Sequence, residues 1–151
     1  MLNDINSELI NFLRWLKGGL IIEENFEFSS NAYYLNRKRF NELILDHKSG
    51  SREAASLFYY LNRTCFNGLC RFNRSGEFNV PYGQKANVQF EMDLSYYAKY
   101  MENWTIIEGS YRNLEILEND FLFIDPPYDV PFRDYFKYGF MWEEQEKLAE
   151  W

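Results

Sequence analysis

The sequence predicts an α/β domain, because segments with helical periodicity alternate with short apolar runs that are typical of buried strands. Apolar residues at helical spacing predict three helices in the first part of the chain, at 6–17, 31–47 and 52–62. Short strands are predicted at 104–108 and 121–124. The second of these is apolar throughout, as expected of a strand that is buried on both faces of a parallel sheet.

Each of the first two helices is preceded by residues whose side chains can cap a helix. The candidates are Asn6 or Ser7 for the first helix and Ser29 or Ser30 for the second. The first helix carries an apolar stripe and ends before the pair Gly18-Gly19. The stripe consists of Ile5, Leu9, Phe12, Leu13 and Leu16. The third helix places its apolar residues on one face, namely Ala54, Leu57, Phe58 and Leu61.

The segment 64–82 is rich in Asn, Gly, Arg and aromatic residues and has no hydrophobic period, which predicts a long loop. Residues 92–103 and 142–150 are predicted to form two further helices. Repeats and low-complexity linkers are absent from the sequence, and its length suits one domain with a sizeable core.

The composition excludes several classes of protein. Aromatic residues make up 20% of the 151 residues, which excludes a disordered chain and predicts that many rings are buried. Cys65, Cys70 and the single histidine, His47, fit no zinc pattern, so no metal site is expected. The sequence has neither a stretch of about 18 apolar residues nor a secretory signal, so we expect a cytoplasmic protein without a membrane span.

Charge is unevenly distributed along the chain, whose net charge is −7. Between Tyr33 and Lys85, nine basic residues stand against four acids, so this window carries +5 and the remainder carries −12. A basic region in an acidic protein suits nucleic-acid binding, and a solvated helix face is an equally open interpretation. The basic residues are Arg37, Lys38, Arg39, Lys48, Arg52, Arg63, Arg71, Arg74 and Lys85.

The segment Asp125-Pro126-Pro127-Tyr128 follows the predicted buried strand, and ligands bind at the carboxyl ends of strands in open α/β sheets. Two prolines stiffen the turn, so the Asp125 carboxylate and the Pro126 carbonyl can accept both N–H groups of an exocyclic purine amine. Tyr128 can stack on the purine, and the amine lone pair would then face an electrophilic methyl group. The structural alternative is an Asp-Pro turn that only closes a strand.

Three blocks of this sequence resemble the DNA adenine methylase (Dam-like) family, in the family's order. They are residues 2–10 (LNDINSELI), residues 61–73 with their continuation 76–83, and residues 123–128 (FIDPPY). The resemblance covers nearly the whole chain. It implies a partial S-adenosylmethionine-dependent, Rossmann-like methyltransferase sheet with an inserted helical and loop region. The catalytic core would comprise 1–30 and 104–151, and the target-recognition region 31–103.

The resemblance also implies an activity: methylation of adenine N6 in double-stranded DNA, at GATC and after base flipping, with S-adenosylmethionine as the cofactor. The catalytic residues would be Asp125, Pro126, Pro127 and Tyr128. Asp4 would bind the ribose hydroxyls of the cofactor, and Ile5 and Tyr111 would sandwich its adenine. Ser110 would lie beside that pocket, and Asp125 would also border the cofactor. Without the resemblance, Asp4 would be interpreted as a helix-capping acid.

The second block would be the loop that recognises DNA. Arg71 would contact O6 and N7 of a guanine, which is the commonest specific contact. Phe66 would insert into the duplex near the flipped adenine, where Asn67 would also make contact. Leu69 and Pro81 would contact thymine methyl groups, and Asn79 would support the loop. The phosphate contacts would come from Arg63, Arg74 and Lys85.

The Gly-rich Phe-x-Gly-x-Gly loop with which the family holds the methionine end of the cofactor does not occur in this sequence. We therefore expect that loop, and the strand leading to Asp4, to precede Met1, and further strands to follow Trp151. Open sheet edges in such a fragment would favour association or a complementing methyltransferase chain. Three interpretations stay open. The chain is part of a bacterial or phage-encoded enzyme, in restriction-modification or in a solitary role, or it is an inactive remnant that only binds DNA. The third is a methyltransferase for RNA or protein, against which the Arg71 loop argues.

Overall fold

The computed structural model describes residues 1–84, 88–127, 140 and 142–151. Its elements follow the order β1 (Leu2–Asp4), α1 (Ser7–Lys17), α2 (Ser30–Leu45), α3 (Arg52–Thr64), α4 (Tyr97–Met101), β2 (Ile106–Glu108) and α5 (Trp142–Glu150). Two short 3-10 turns lie in the connections, at Phe66–Gly68 and Tyr111–Asn113. β1 and β2 pair in parallel, with Asp4 opposite Glu108. Helices combined with a small parallel sheet agree with the predicted α/β class.

The three N-terminal helices form where the sequence predicts them, within about two residues at each end. Asn6 caps α1, because its Oδ1 accepts hydrogen bonds from the backbone N–H groups of Glu8 and Leu9 at 3.0 and 3.1 Å. Ser29 caps α2 and Ser51 caps α3 through their hydroxyl groups. Each cap satisfies backbone donors that the first turn of a helix leaves unpaired. The helix predicted at 142–150 is also present, as α5.

α3 lies at the centre of the packing and contacts both α1 and α2. One face of α3 joins a core that includes Tyr33 and Phe40 of α2, together with Phe78 and Val80 of the long loop. Its Ala55 joins a second core with residues around the end of α1, α4 and the segments between them. Each fully buried large side chain of this kind contributes about 1.5–3 kcal/mol. The predicted boundary between a catalytic core and a recognition region crosses the α1–α3 contact and remains a prediction.

The helix predicted at 92–103 is shorter in the structure, where only α4 (Tyr97–Met101) is helical. The preceding residues are extended instead, since Leu94 donates its N–H to the Leu20 carbonyl at 3.0 Å and Ile22 donates to Met92 at 2.8 Å. Asp93 then turns the chain by accepting the Ser95 N–H at 2.9 Å. Pairing with the segment after α1 therefore replaces the first turns of the predicted helix.

Two predictions about strands are wrong. The run 121–124 is not a strand, and its side chains are exposed, with Phe121 at 92% and Phe123 at 85%. A buried strand needs neighbours on both sides, and the sheet among the described residues contains only β1 and β2. The strand leading to Asp4 was expected to precede Met1, whereas β1 itself (Leu2–Asp4) leads to that residue. The strand predicted at 104–108 is present as β2, two residues shorter.

Candidate functional site

The predicted cofactor residues lie at one edge of the sheet. Because β1 and β2 are parallel, their carboxyl ends meet at the same side, where Asp4 and Ile5 follow β1 and Ser110 and Tyr111 follow β2. The Gly109 N–H donates to the Asp4 carbonyl at 3.0 Å, which extends the pairing by one residue. The structure thus brings together four of the five residues predicted to bind a cofactor.

The Asp4 carboxylate is held in the turn between β1 and α1. Its Oδ1 accepts the backbone N–H of Asn6 at 2.7 Å, so the turn fixes the position of the acid at the end of the strand. Ile5 lies between these two residues, and its side chain is 61% exposed. Asp4 does not cap the helix, because Asn6 performs that function. A fixed acid beside an exposed apolar side chain suits the binding of a ribose and its base.

Tyr111 begins the short turn on the other side of this edge. Ser110 stabilises the turn by accepting the Arg112 N–H at 3.3 Å. The Tyr111 ring packs edge-on against Trp151 with 5.2 Å between ring centroids, and the Arg112 guanidinium lies 5.5 Å from the Tyr111 centroid. Arg112 also forms an ion pair with Glu144 of α5. The C-terminal helix therefore helps to position the ring predicted to contact an adenine.

The Asp125-Pro126-Pro127 turn is held by α5. The Pro127 carbonyl accepts a hydrogen bond from Nε2 of Gln145 at 2.6 Å, while Asp125 is exposed and both prolines are half-buried. Its preceding segment lacks the strand structure that was predicted to position it. Tyr128, the fourth predicted catalytic residue, lies outside the described residues.

The long loop contains a hairpin whose two sides are joined by Arg71 and Asn79. Arg71 donates through Nε to the Asn79 side-chain oxygen at 2.8 Å and through Nη2 to the Asn79 carbonyl at 3.3 Å. Phe72 and Phe78 pair in antiparallel fashion one step farther along. The turn closes where Asn73 accepts the Glu77 N–H at 2.9 Å. Asn79 therefore joins the two sides of the hairpin, and its role in DNA recognition stays a prediction.

The base of the loop is closed by backbone contacts, and the closest of them requires a glycine at position 83. Cys65 pairs with Tyr82, Phe66 donates its N–H to the Pro81 carbonyl, and Gly83 donates to the Thr64 carbonyl at 2.9 Å. A Cβ atom at Gly83 would lie 2.4 Å from the Cys65 carbonyl oxygen. The loop therefore leaves and re-enters the core at a fixed point.

Three side chains of α2 hold the second side of the hairpin, and sequence reasoning missed this function. Asn41 donates to the Phe78 carbonyl at 3.1 Å and accepts the Phe78 N–H at 2.8 Å, as a neighbouring strand would. Tyr33 and Arg37 both donate to the Val80 carbonyl, at 2.7 and 3.0 Å. Burial, as the largest cause, raises the pKa of the Tyr33 hydroxyl, which therefore stays protonated as a donor. The spacing of these residues, four apart on one helix, was the available indication.

The remaining residues predicted to contact DNA differ in exposure. Phe66 is 50% exposed, and Asn67 is exposed with φ of 54°, a left-handed conformation that asparagine tolerates. Leu69 is half-buried against the core, and Pro81 is exposed. Arg63 donates to the Gln89 carbonyl at 2.7 and 3.1 Å, and Arg74 is exposed. Lys85 lies outside the described residues.

A contact joins the hairpin to the turn that holds Asp4. The side-chain amide of Asn6 donates to the sulphur of Cys70, with 3.7 Å between Nδ2 and Sγ. Desolvation by the surrounding protein, and then the Asp4 carboxylate, raise the pKa of the Cys70 thiol to about 12, although the residue as a whole is exposed. The thiol therefore remains neutral and serves as a weak acceptor.

Two further findings concern other kinds of site. Within the part of the chain that the structure describes, no group of three or more His, Cys, Asp or Glu side chains is arranged to hold a metal ion. Likewise, none of the described helices combines the length and apolarity needed to cross a membrane.

Comparison with known proteins identifies the family of this chain. The model of the D12 class of N6 adenine-specific DNA methyltransferases matches residues 1–151, and the chain belongs to this family. The chain is 35% identical to the retron Ec67 DNA adenine methylase of Escherichia coli over 158 residues, covering 97% of the chain and 54% of that protein. It is 33% identical to the type II methyltransferase M1.LlaDCHI of Lactococcus lactis subsp. cremoris, covering 99% and 58%.

The chain is also 33% identical to the DNA adenine methylase of Serratia marcescens over 166 residues, covering 99% of the chain and 59% of that protein. The predicted resemblance to DNA adenine methylases is therefore confirmed. The chain spans a little over half the length of these three curated relatives.

Proposed function

We propose that this chain carries the DNA-recognition loop and the base-binding turn of a methyltransferase that transfers a methyl group from S-adenosylmethionine to adenine N6. The substrate is double-stranded DNA with a short site, GATC, from which the adenine is flipped before transfer. One observation carries the proposal: in a chain of this family, the residues after β1 and β2 meet at one edge of a parallel sheet. The enzyme would act in the cytoplasm of a bacterium or a phage-infected cell.

The sheet edge would hold the cofactor, in a Rossmann-like arrangement of which β1 and β2 form a part. Asp4 would accept hydrogen bonds from the ribose hydroxyls, since its carboxylate is fixed at the end of β1. Ile5 and Tyr111 would contact the adenine of the cofactor, and Ser110 and Asp125 would border it. When bound, S-adenosylmethionine supplies an electrophilic methyl group.

The turn at Asp125 would hold the flipped base. The Asp125 carboxylate and the Pro126 carbonyl would each accept one N–H of the adenine amine, which directs the nitrogen lone pair away from the turn. A hydrogen bond to a charged acceptor contributes about 1.5–3 kcal/mol. Gln145 supports this function by fixing the Pro127 carbonyl. Tyr128 would stack on the base.

The hairpin and its base would contact the duplex. Arg71 would bind a guanine edge while Asn79 fixes its guanidinium, and Phe66 would enter the base stack beside Asn67. Leu69 and Pro81 would contact thymine methyl groups. Phosphate contacts would come from Arg63, Arg74 and Lys85.

The experiment is transfer of a labelled methyl group to a duplex containing GATC, with a GTAC duplex of the same composition as the DNA control. Asp125→Asn and Asp125→Ala should abolish transfer, and Glu118→Gln, a nearby exposed carboxylate, should leave it unchanged. The assay is run with the chain alone and with a complementing methyltransferase fragment added. Incorporation that survives Asp125→Ala would refute the proposed base site.

A second candidate is a module that binds DNA but does not bind cofactor. The observation that favours it is the support of the hairpin by α2, through Asn41 and Tyr33, which is separate from the sheet edge. Salt-dependent DNA binding, together with a calorimetric titration that shows no binding of S-adenosylmethionine, would favour this candidate. The division into a catalytic core (1–30 and 104–151) and a recognition region (31–103) is part of the proposal.

A further inference from the structure

The proposed cofactor site and the proposed DNA-recognition loop are in direct contact. Asn6 is uncharged and takes part in three kinds of hydrogen bond. Its backbone N–H donates to Asp4, its side-chain oxygen caps α1, and its side-chain amide donates to Cys70. Cys70 immediately precedes Arg71, whose guanidinium is held by Asn79. A continuous series of contacts therefore runs from the acid at the sheet edge to the arginine of the hairpin.

The turn between β1 and α1 contacts Cys70. Asn6 of this turn donates a hydrogen bond to the thiol, and among the neighbouring charged groups the Asp4 carboxylate acts on it most strongly. A displacement of the Asp4–Asn6 turn would therefore also displace the hydrogen-bond donor of Cys70. Because a peptide bond joins Cys70 to Arg71, a shift of the Cys70 backbone also shifts the start of the Arg71 side chain.

We propose that Asn6 and Cys70 are positioning residues that couple cofactor binding at Asp4 to DNA binding at Arg71. The inference rests on the proposed function. A ligand that fixes Asp4 also fixes the Asn6 amide, which holds Cys70 and orders the hairpin for DNA. Coupling between two binding equilibria is reciprocal, so DNA bound at the hairpin raises the affinity for the cofactor by the same factor.

The size of the coupling follows from the single hydrogen bond that transmits it. Sulphur is a weak acceptor and the contact is exposed, so the net free energy of this hydrogen bond is at the lower end of the usual range. We expect each ligand to raise the affinity for the other by about two- to ten-fold.

The test measures binding of a GATC duplex by fluorescence anisotropy, with and without saturating S-adenosylhomocysteine, which cannot donate a methyl group. Cys70→Ala removes the acceptor, and Cys70→Ser retains one. Asn6→Ser keeps a hydroxyl that can cap α1 but removes the amide donor. Ser75→Ala, in the exposed turn of the same hairpin, is the matched control.

In the wild-type chain, S-adenosylhomocysteine should strengthen DNA binding about two- to ten-fold, and DNA should strengthen its binding equally. Cys70→Ala and Asn6→Ser should each reduce this factor to about one while the affinity for either ligand alone changes less than two-fold. Cys70→Ser should restore part of the coupling, which a general structural defect would not allow. The double variant that combines Cys70→Ala with Asn6→Ser should lose no more of the coupling than either single variant does, because both changes remove the same hydrogen bond.

Three outcomes would overturn the proposal. If the coupling is unchanged in folded Cys70→Ala or in folded Asn6→Ser, the Asn6–Cys70 hydrogen bond does not transmit it. This result in one of the two variants is enough to overturn the proposal. A wild-type chain that binds both ligands without coupling would refute the inference and leave the proposed function intact. A wild-type chain that, also with a complementing methyltransferase fragment present, binds neither ligand or only one of them would refute both.

Discussion

Asn79 holds the guanidinium of Arg71 with both its side-chain oxygen and its backbone carbonyl, at 2.8 and 3.3 Å. An arginine side chain ordinarily loses much conformational freedom when it binds a ligand. Here two hydrogen bonds restrict the side chain in the free protein. Arg71 is therefore preorganised, and Asn79 should affect DNA binding without contacting DNA.

We predict different effects for the two arginines of the hairpin. Arg71→Gln should cost about 1–3 kcal/mol with GATC and reduce the preference over GTAC, because a base contact is lost. Asn79→Ala should have a smaller effect of the same kind. Arg74→Gln should weaken binding to both duplexes alike and lower the salt slope by about one, as expected for a phosphate contact. Equal preferences for GATC in all variants would contradict the assignment of Arg71 to a base.

The second prediction concerns the close approach at Gly83. Gly83→Ala places a methyl group 2.4 Å from the Cys65 carbonyl oxygen and 2.9 Å from that of Thr64, and neither backbone atom can move easily. The free energy of unfolding should fall by about 1–3 kcal/mol in urea denaturation, the usual range for overpacking. Gly50→Ala is the matched control, since nothing lies within 4 Å of its added Cβ, and it should change stability by less than about 0.5 kcal/mol. If the two variants are equally stable, the predicted steric conflict between an added methyl group at position 83 and the Cys65 carbonyl is wrong.

Local features of the sequence were sufficient to predict the helices. Apolar residues at helical spacing, with candidate capping side chains before α1 and α2, located α1, α2 and α3 before any tertiary structure was known, whereas the Ser51 cap of α3 was not predicted. The residues after β1 and β2 were assigned to one site only through the resemblance to DNA adenine methylases, since β1 itself was not predicted; the structure shows that the two parallel strands end at the same edge of the sheet.

Features that depend on distant partners were not predictable in this way. The apolar run 121–124 has the composition of a buried strand, but burial requires neighbouring strands that its own residues do not specify. The first turns of the helix predicted at 92–103 are lost to pairing with the segment after α1. Asn41 is an ordinary polar residue in the sequence, and its two bonds to Phe78 exist only because the loop folds back over α2.

The third prediction concerns pH. Glu8 is buried in the first turn of α1, where its Oε1 accepts the Ser7 hydroxyl and its Oε2 makes no hydrogen bond within the described part of the chain. Burial, as the largest cause, raises the pKa of Glu8 above its usual 4.5, and the nearby hydroxyls of Ser7 and Ser49 oppose this in part. The protonated acid fits the site better, so its contribution to stability is complete below about pH 4.5 and is lost as the pH rises through the raised pKa.

Glu8→Gln should therefore gain stability relative to the wild-type chain as the pH increases from 4.5 through the raised pKa, by about 1 kcal/mol at neutral pH. Glu53→Gln is the matched control of opposite sign. The Arg39 guanidinium, which donates at 2.7 and 2.8 Å, lowers the pKa of Glu53, so this variant should lose stability above pH 4.5 and match wild type only in more acidic solution. Urea denaturation at several pH values measures both differences. A Glu8→Gln difference that does not vary with pH would contradict the burial argument.

The last prediction concerns the exposed run before Asp125. Phe121 and Phe123 are 92% and 85% exposed in a four-residue apolar segment, which favours association between chains or with a complementing fragment. Phe121→Lys combined with Phe123→Lys should shift the isolated chain toward monomer in sedimentation velocity, with little change in melting temperature because neither ring is buried. Leu35→Lys combined with Leu45→Lys is the matched control, since it adds the same charge and removes two exposed leucines of α2. If both double variants reduce association equally, added charge is responsible; if the wild-type chain is monomeric at high concentration, the apolar run does not mediate association.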